Sequence, residues 1–521
     1  MTELNDKMID EKMMLFDKYL DRTNMDKKAY QYDGVKWCLK NELLQPLGKV
    51  DPKVVVDPSP KVADSFAPLF PKVDFAPLLG KDVRGGFIAD EMGLGKTIMM
   101  IGTMVCNYLP RTLIVLPPVL IDQWYLQIYR TTGHKPLIYH GANKKKITLD
   151  ILMGATIVIT TYGAVTLTKK KLIEVKSYPD LLTDLHKVDW SRIIFDEAHH
   201  LRNVNTCWRS VKLLRSDIRW LVSGTPIQNR KRDFYNLCSI LNMPASFYTK
   251  SENLPLLARL YILKRTKKQV GIDIPDVVLD KNIVNWTNKR EKEMSEEIHS
   301  ALGFSNVSVK GKSSVLVSRL YDKGILALML RARQSCILPK LLVPLIGQFG
   351  LKADNYKEAL QSSSKLDSVI DKILANKDNG NGKIVFCHFR EEIDTISQRL
   401  LMGGISKIAT FDGRISSGKR QGILNEKNDV LILQIQTGCE GLNLQENYSE
   451  IYFVSPHWNP AVEEQAIARC HRIGQKKEVV VNRFEMGNFV KSVDQQVETR
   501  TVDNYVGAVQ DSKKQIAGEI I

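Results

Sequence analysis

Short apolar runs recur along the chain, separated by stretches whose apolar positions return at helical spacing. Runs of this kind predict buried parallel strands, and the stretches between them predict helices, an alternation typical of α/β folds. The first set is Gly86–Ala89, Thr112–Leu116, Thr156–Thr160, Arg192–Phe195 and Trp220–Val222. The second is Lys383–Cys387, Lys407–Thr410, Asp429–Leu433 and Glu450–Val454. Between them, Asn288–Leu302 mixes charges at helical spacing, and Ile325–Leu342 reads as an apolar, arginine-containing helix. Residues 265–364 are therefore expected to form a helical insertion and linker, with a hinge at Ser362–Ser364. That leaves two α/β lobes, 29–264 and 365–490. A cleft between such lobes is a common ligand site. The charged residues 1–28 predict an amphipathic helix or a frayed lead-in, and 491–521 a tail or brace.

Residues 49–82 break the pattern. Pro60-Lys-Val-Ala-Asp-Ser-Phe-Ala-Pro-Leu is followed by the related Pro71-Lys-Val-Asp-Phe-Ala-Pro-Leu. Proline at this density blocks helix and sheet ladders, so a surface insertion into the first lobe is expected. The length of 521 residues fits two or three domains. Lys and Arg outnumber Asp and Glu 74 to 58, a formal charge of +16 that suits a polyanionic partner such as nucleic acid. None of Cys38, Cys106, Cys207, Cys238, Cys336, Cys387, Cys439 and Cys470 shares a CxxC spacing, so no zinc site is expected. Scattered thiols and an N-terminus without a signal-peptide core point to an intracellular protein. The best apolar stretch, Thr112–Ile121, is short and holds Pro117 and Pro118, so no membrane span is expected.

Three motifs carry chemistry. Asp90-Glu-Met92-Gly93-Leu-Gly95-Lys96-Thr97 follows a predicted strand. Its glycines let backbone N–H groups close around phosphate oxygens, and the following helix adds the positive end of its dipole. Lys96 is placed to reach the β- and γ-phosphates of ATP and Thr97 to hold Mg²⁺, although Asp90 stands where a P-loop usually begins with Gly. In Arg192-Ile-Ile-Phe-Asp196-Glu197-Ala198-His199 an apolar strand ends in adjacent carboxylates. Asp196 suits the Mg²⁺ shell and Glu197 the activation of water; a solvated acidic strand end is the competing reading. In Gln465-Ala-Ile-Ala-Arg469-Cys-His-Arg472-Ile-Gly-Gln475, the positions 465, 469 and 472 stand at i, i+4 and i+7 and are expected to share one helix face. Two guanidiniums there could grip a γ-phosphate, against the alternative of a solvated basic face.

In this order the three motifs resemble the SWI/SNF-type ATPases of helicase superfamily two, and the HRIGQ ending is far more specific than a P-loop. The resemblance runs from about Tyr30 to Phe484. It implies two RecA-like parallel-sheet lobes and a shared ATP site. Gln31 would contact adenine within Tyr30–Trp37, and Gly441 and Gln465 would join Asp90, Met92, Gly93 and Gly95 among the nucleotide contacts. Leu113–Trp124 is similar to motif Ia, and Ser223-Gly-Thr225-Pro-Ile-Gln-Asn229 to motif III, which couples hydrolysis to lobe movement. Thr160 and Thr161 in one lobe, with Thr437 and Trp458 in the other, are implied nucleic-acid contacts; a core role is the competing reading for Trp458. Phe411-Asp-Gly413, Arg420 and Trp458-Asn-Pro460 also follow the pattern. Cys387-His388 departs from it, and a packed structural histidine is expected there. Leu330–Cys336 and Arg469–Arg472 are similar to the DNA-repair branch that carries a RING, but no RING spacing is present.

The expected activity is ATP-dependent translocation on double-stranded DNA, remodelling nucleosomes or other protein–DNA complexes in the nucleus or a viral replication compartment. Lys96, Glu197, Arg469 and Arg472 are the expected catalytic groups, and ATP and Mg²⁺ the cofactors. A strand-separating helicase on DNA or RNA is the same-class alternative. A non-catalytic nucleic-acid-binding scaffold is the alternative from another class.

Overall fold

The computed structural model describes residues 2–43, 83–174, 182–225, 231–300, 302, 324–348, 353–415, 422–423, 426–438, 442–489 and 500–520. The proline-rich stretch 49–82, Pro226–Asn229, Arg420 and Gly441 lie outside these residues. The chain divides into two compact units, Met1–Asp273 with Gln515–Ile521, and Ile274–Lys514.

The first unit holds a seven-stranded sheet, every adjacent pair parallel. Its strands are β1 (Arg84–Ile88), β2 (Thr112–Leu116), β3 (Leu137–Tyr139), β4 (Ile157–Thr161), β5 (Asp189–Asp196), β6 (Arg215–Val222) and β7 (Ile262–Leu263), in the order β3-β4-β2-β5-β6-β1-β7. All five runs expected in this unit become strands. Their continuous apolar character follows from burial on both faces. Alternation splits each run: Phe87, Leu113 and Val115 enter one core, and Ile88, Ile114 and Leu116 enter the other. The N-terminal stretch forms the helix Thr2–Thr23, whose Ile9, Met13 and Phe16 are fully buried in that second core. Beside it the helix Ala29–Leu43 buries Val35, Cys38 and Leu39.

The second unit holds a six-stranded parallel sheet of β8 (Val277–Val284), β9 (Gly382–Cys387), β10 (Ile408–Phe411), β11 (Val430–Gln434), β12 (Tyr448–Phe453) and β13 (Val479–Met486), in the order β10-β11-β9-β12-β13-β8. The helices Lys289–Ser300 and Ile325–Ile337 lie within 265–364. That stretch is not helical throughout, however. β8 lies within it and pairs with β13 from Val277↔Val479 to Val284↔Met486. It is an edge strand with Leu279 and Ile283 exposed, so it lacks the doubly buried apolar run that marks the central strands. Ser364 does not sit in a loose hinge. It begins the helix Ser364–Ala375, and its hydroxyl and amide donate to the buried Glu291.

The helix Val502–Ile520 is anchored in this unit at its N-terminal end. Asp503 pairs with Lys365, neither more than 1% exposed, and also accepts from Ser455 Oγ at 2.9 Å and Met486 N at 2.9 Å. Further along, Gln510 Nε2 donates to His457 O and Lys513 Nζ to Trp458 O, both at 2.6 Å. The helix is thus bonded along its length to the segment that leads into Arg469.

Candidate active site

β1 delivers the chain to the glycine-containing loop, and the helix Lys96–Cys106 leaves it. Gly93 and Gly95 adopt φ of 92° and 79°, a region that disfavours side chains. Lys96 Nζ donates to Asp90 O at 2.9 Å and Glu91 O at 3.4 Å, which keeps the ammonium at the loop. Gln31 Nε2 donates to Leu94 O at 3.2 Å, and a Cβ at Gly95 would stand 2.4 Å from that nitrogen. The base-reading and phosphate-reading residues expected from the sequence are therefore neighbours. Met92 packs over Gly224, where an added Cβ would meet Met92 Cγ at 3.0 Å and Lys96 Nζ at 3.4 Å.

Asp90 requires a correction. Its carboxylate is fully buried and bound by Arg265, with Nε at 3.2 Å and Nη2 at 2.6 Å. Its side chain holds the loop from behind and is not available to a ligand. Lys267 does the same for Glu91, with Nζ at 2.7 Å and its backbone N at 2.8 Å. Sequence reasoning missed Arg265 and Lys267. Neither belongs to a motif with recognisable spacing, and their partners lie about 176 residues earlier.

β5 ends at Asp196, and Glu197 follows with φ 49°, a strained left-handed conformation for a side-chain-bearing residue. Asp196 Oδ2 accepts from the buried indole of Trp124 at 2.6 Å and Oδ1 from Glu197 N at 3.0 Å. Burial, and after it the neighbouring Glu197 charge, pushes the Asp196 pKa up to about 7, while Lys96 pulls it down. Two adjacent carboxylates this deep form an unfavourable arrangement that a divalent cation would relieve. Mg²⁺ keeps several waters and needs few protein oxygens, so a carboxylate such as Asp196 is the kind of ligand it takes. Glu197 Oε2 lies 3.3 Å from His199 Nδ1, which is 3.4 Å from Ser223 Oγ; that hydroxyl accepts from Thr225 N at 3.3 Å. The acidic strand end is thereby connected to both expected coupling residues. Tyr162 Oη adds a 2.8 Å bond to Asp196 O.

Of the expected nucleic-acid contacts in the first unit, Thr160 is fully buried and its hydroxyl donates to Tyr139 O at 2.8 Å. It joins β4 to β3 and cannot offer that hydroxyl to a phosphate, which corrects the expectation. Thr161 is 2% exposed; its Oγ1 caps the short helix Tyr162–Val165 and lies 3.2 Å from His140 Nδ1. Thr437 lies in the short helix Ile435–Gly438, with its side chain outside the described set. Trp458 is half-buried, packed edge-on to Tyr505 at 6.3 Å, with the Arg333 guanidinium 4.9 Å over its ring. His388 is a packed histidine as expected, its Nε2 donating to Ser455 O at 3.2 Å and its ring stacked on His457.

In the second unit the helix Pro460–Ile467 stops before Arg469, so Gln465, Arg469 and Arg472 do not share one helix face. Two contacts turn the chain there: Leu444 N donates to Arg469 O at 3.0 Å, and the buried Cys470 thiol donates to Tyr448 O at 2.8 Å. Burial, and after it the Arg469 charge, lowers the Arg472 pKa. Arg472 also bonds Asn443 Oδ1, and Gln465 is 4% exposed. Gln475 closes the turn, with Nε2 on Tyr448 O at 3.0 Å and Oε1 accepting from Lys476 N and Lys477 N at 2.9 Å.

The chain matches the SNF2-related domain over residues 30–341 and the helicase conserved C-terminal domain over 364–474. Among curated relatives, the DNA repair protein RAD5B of Arabidopsis thaliana is 25% identical over 82% of this chain and 46% of its own length. The probable global transactivator of Orgyia pseudotsugata multicapsid polyhedrosis virus is 27% identical over 82% of this chain and 85% of its own. The chain spans less than half the length of the plant protein. A solved structure, the Sulfolobus solfataricus SWI2/SNF2 ATPase core in complex with dsDNA, aligns over 88% of both chains at 22% identity and a TM-score of 0.37. Two parallel sheets, a glycine loop beside paired carboxylates, and a domain match over most of the chain lead to one assignment: the chain belongs to the SNF2-related family of ATPases in helicase superfamily two.

Proposed function

We propose that the protein is an ATP-driven translocase on double-stranded DNA that displaces or remodels DNA-bound proteins, nucleosomes among them. The observation that carries this reading is the grouping in the first unit of Gln31 with the Gly93–Lys96 loop, of Lys96 with Gly224, and of neighbouring Ser223 with Glu197 through His199. Gln31 would read the base, the loop amides and Lys96 would hold the phosphates, and Thr97 with Asp196 would hold Mg²⁺. Bound Mg²⁺ supplies charge neutralisation to the phosphates. Glu197 orients and deprotonates the attacking water, and turnover requires Arg469 and Arg472 of the second unit as well.

Duplex DNA as the track is supported by the net charge of +16 and by relatives named for DNA repair, including the human DNA excision repair protein ERCC-6-like at 26% identity over 77% of this chain and 38% of its own length. The acting surface would read phosphates and not base edges, so binding is expected to be salt-sensitive and largely sequence-independent. Such work places the protein where chromosomal or viral DNA is handled. Among the described residues no helix is long and apolar enough to cross a membrane. The test is ATP turnover with duplex DNA, single strands, RNA and nucleosomes side by side. Duplex DNA and nucleosomes should stimulate most. Efficient unwinding of a blunt duplex would favour the strand-separating alternative.

A further inference from the structure

We propose that Arg265 is a positioning residue for nucleobase selectivity, fixing the base-reading helix against the phosphate loop; the inference rests on the nucleotide-site reading above. Arg265 follows β7, outside the glycine loop and the acidic strand end. Its guanidinium is divided among separate segments. Nε and Nη2 bind both oxygens of Asp90 in the loop, Nη1 donates to Tyr30 O at 2.5 Å in the helix Ala29–Leu43, and Nη2 lies 3.4 Å from Met99 Sδ in the helix after the loop. The group also lies 5.8 Å from the centre of the Tyr30 ring. The backbone repeats the connection, because Ala89 N donates to Leu263 O at 2.8 Å and Glu91 N to Arg265 O at 2.9 Å.

These bonds act on different parts of a nucleotide. Asp90 is fully buried, and a buried carboxylate without a cation would not hold its place. That half of the Arg265 contact set supports the phosphate loop, which every nucleoside triphosphate uses alike. Tyr30 precedes Gln31, whose carboxamide already touches the loop at Leu94 O. Only a base that Gln31 recognises gains from fixing the Tyr30 carbonyl. A planar guanidinium can serve both partners at once, whereas an ammonium offers one compact charge. Lysine at 265 would keep a cation opposite Asp90 and release Tyr30.

The experiment measures steady-state hydrolysis of ATP and GTP by the full chain with duplex DNA, alongside equilibrium binding of fluorescent ADP and GDP analogues. The variants are Arg265→Lys, Arg265→Gln and Lys96→Ala. For Arg265→Lys, KM for ATP should rise about ten-fold with kcat within about three-fold and KM for GTP nearly unmoved, and the ADP analogue should weaken in parallel. Arg265→Gln, which leaves Asp90 without its cation, should weaken both nucleotides. Overturning results are an ATP-to-GTP selectivity in Arg265→Lys equal to the parent's, or equal losses for both nucleotides in that variant. If Arg265→Lys does not fold, the selectivity of Arg265→Gln decides: an unchanged ratio overturns the proposal, and a reduced ratio supports it. A parent that does not hydrolyse ATP, or full turnover in Lys96→Ala, would reject the nucleotide site itself.

Discussion

Arg192 meets Glu42 through two hydrogen bonds, Nε to Oε1 at 2.6 Å and Nη2 to Oε2 at 2.5 Å, with neither side chain more than 1% exposed. Glu42 also accepts from Trp220 Nε1 at 2.8 Å and Asn107 Nδ2 at 2.7 Å. The pair joins the helix that carries Gln31 to the strand that ends in Asp196, so it ties together the proposed base-reading and metal-binding residues. Removing one partner strands a buried charge. Glu42→Ala should destabilise the first unit by about 3–5 kcal/mol. Urea unfolding followed by tryptophan fluorescence would read this as an earlier transition, and an unchanged midpoint would refute it.

His199 lies between Glu197 and Ser223, at 3.3 Å and 3.4 Å. If that connection carries DNA-induced rearrangement to the water-activating carboxylate, Ser223→Ala should lower DNA-stimulated kcat about ten-fold while ATP analogue binding changes little. Equal losses in binding and turnover would instead mark Ser223 as a packing residue of the loop.

His299 gives a pH signature. It is fully buried in the second unit, with Nδ1 on Ser295 O at 2.7 Å, and burial lowers its pKa to about 4 from 6.5. The folded pKa lies below the unfolded one, so its contribution is complete above pH 6.5 and is lost as pH falls toward 4. The loss over that window should approach about 3 kcal/mol. Thermal unfolding between these pH values should show the decline in the parent and a shallower one in His299→Leu. An equal slope in both would remove His299 as its source.

The central strands were legible because burial on both faces leaves continuous apolar runs, as in Thr112–Leu116 and Val430–Gln434. The edge strand β3 has three residues, and β8 exposes Leu279 and Ile283, so neither carries that signal. The glycine loop and carboxylates were readable because each motif's chemistry is local in sequence. Arg265 was not, since its meaning depends on Asp90, 175 residues away. The expectation of a continuous helix through Arg472 failed for the same reason. Leu444 and Tyr448, from a different stretch of chain, capture Arg469 O and the Cys470 thiol and turn the backbone.

The most direct measurement compares duplex-DNA-stimulated ATP hydrolysis and ATP analogue binding in the parent chain, Lys96→Ala and Glu197→Gln. Both variants should lose turnover by at least about a hundred-fold, with Glu197→Gln retaining nucleotide binding. Hydrolysis at the parent rate in either variant would contradict the assignment of this loop and this carboxylate as the site of ATP cleavage.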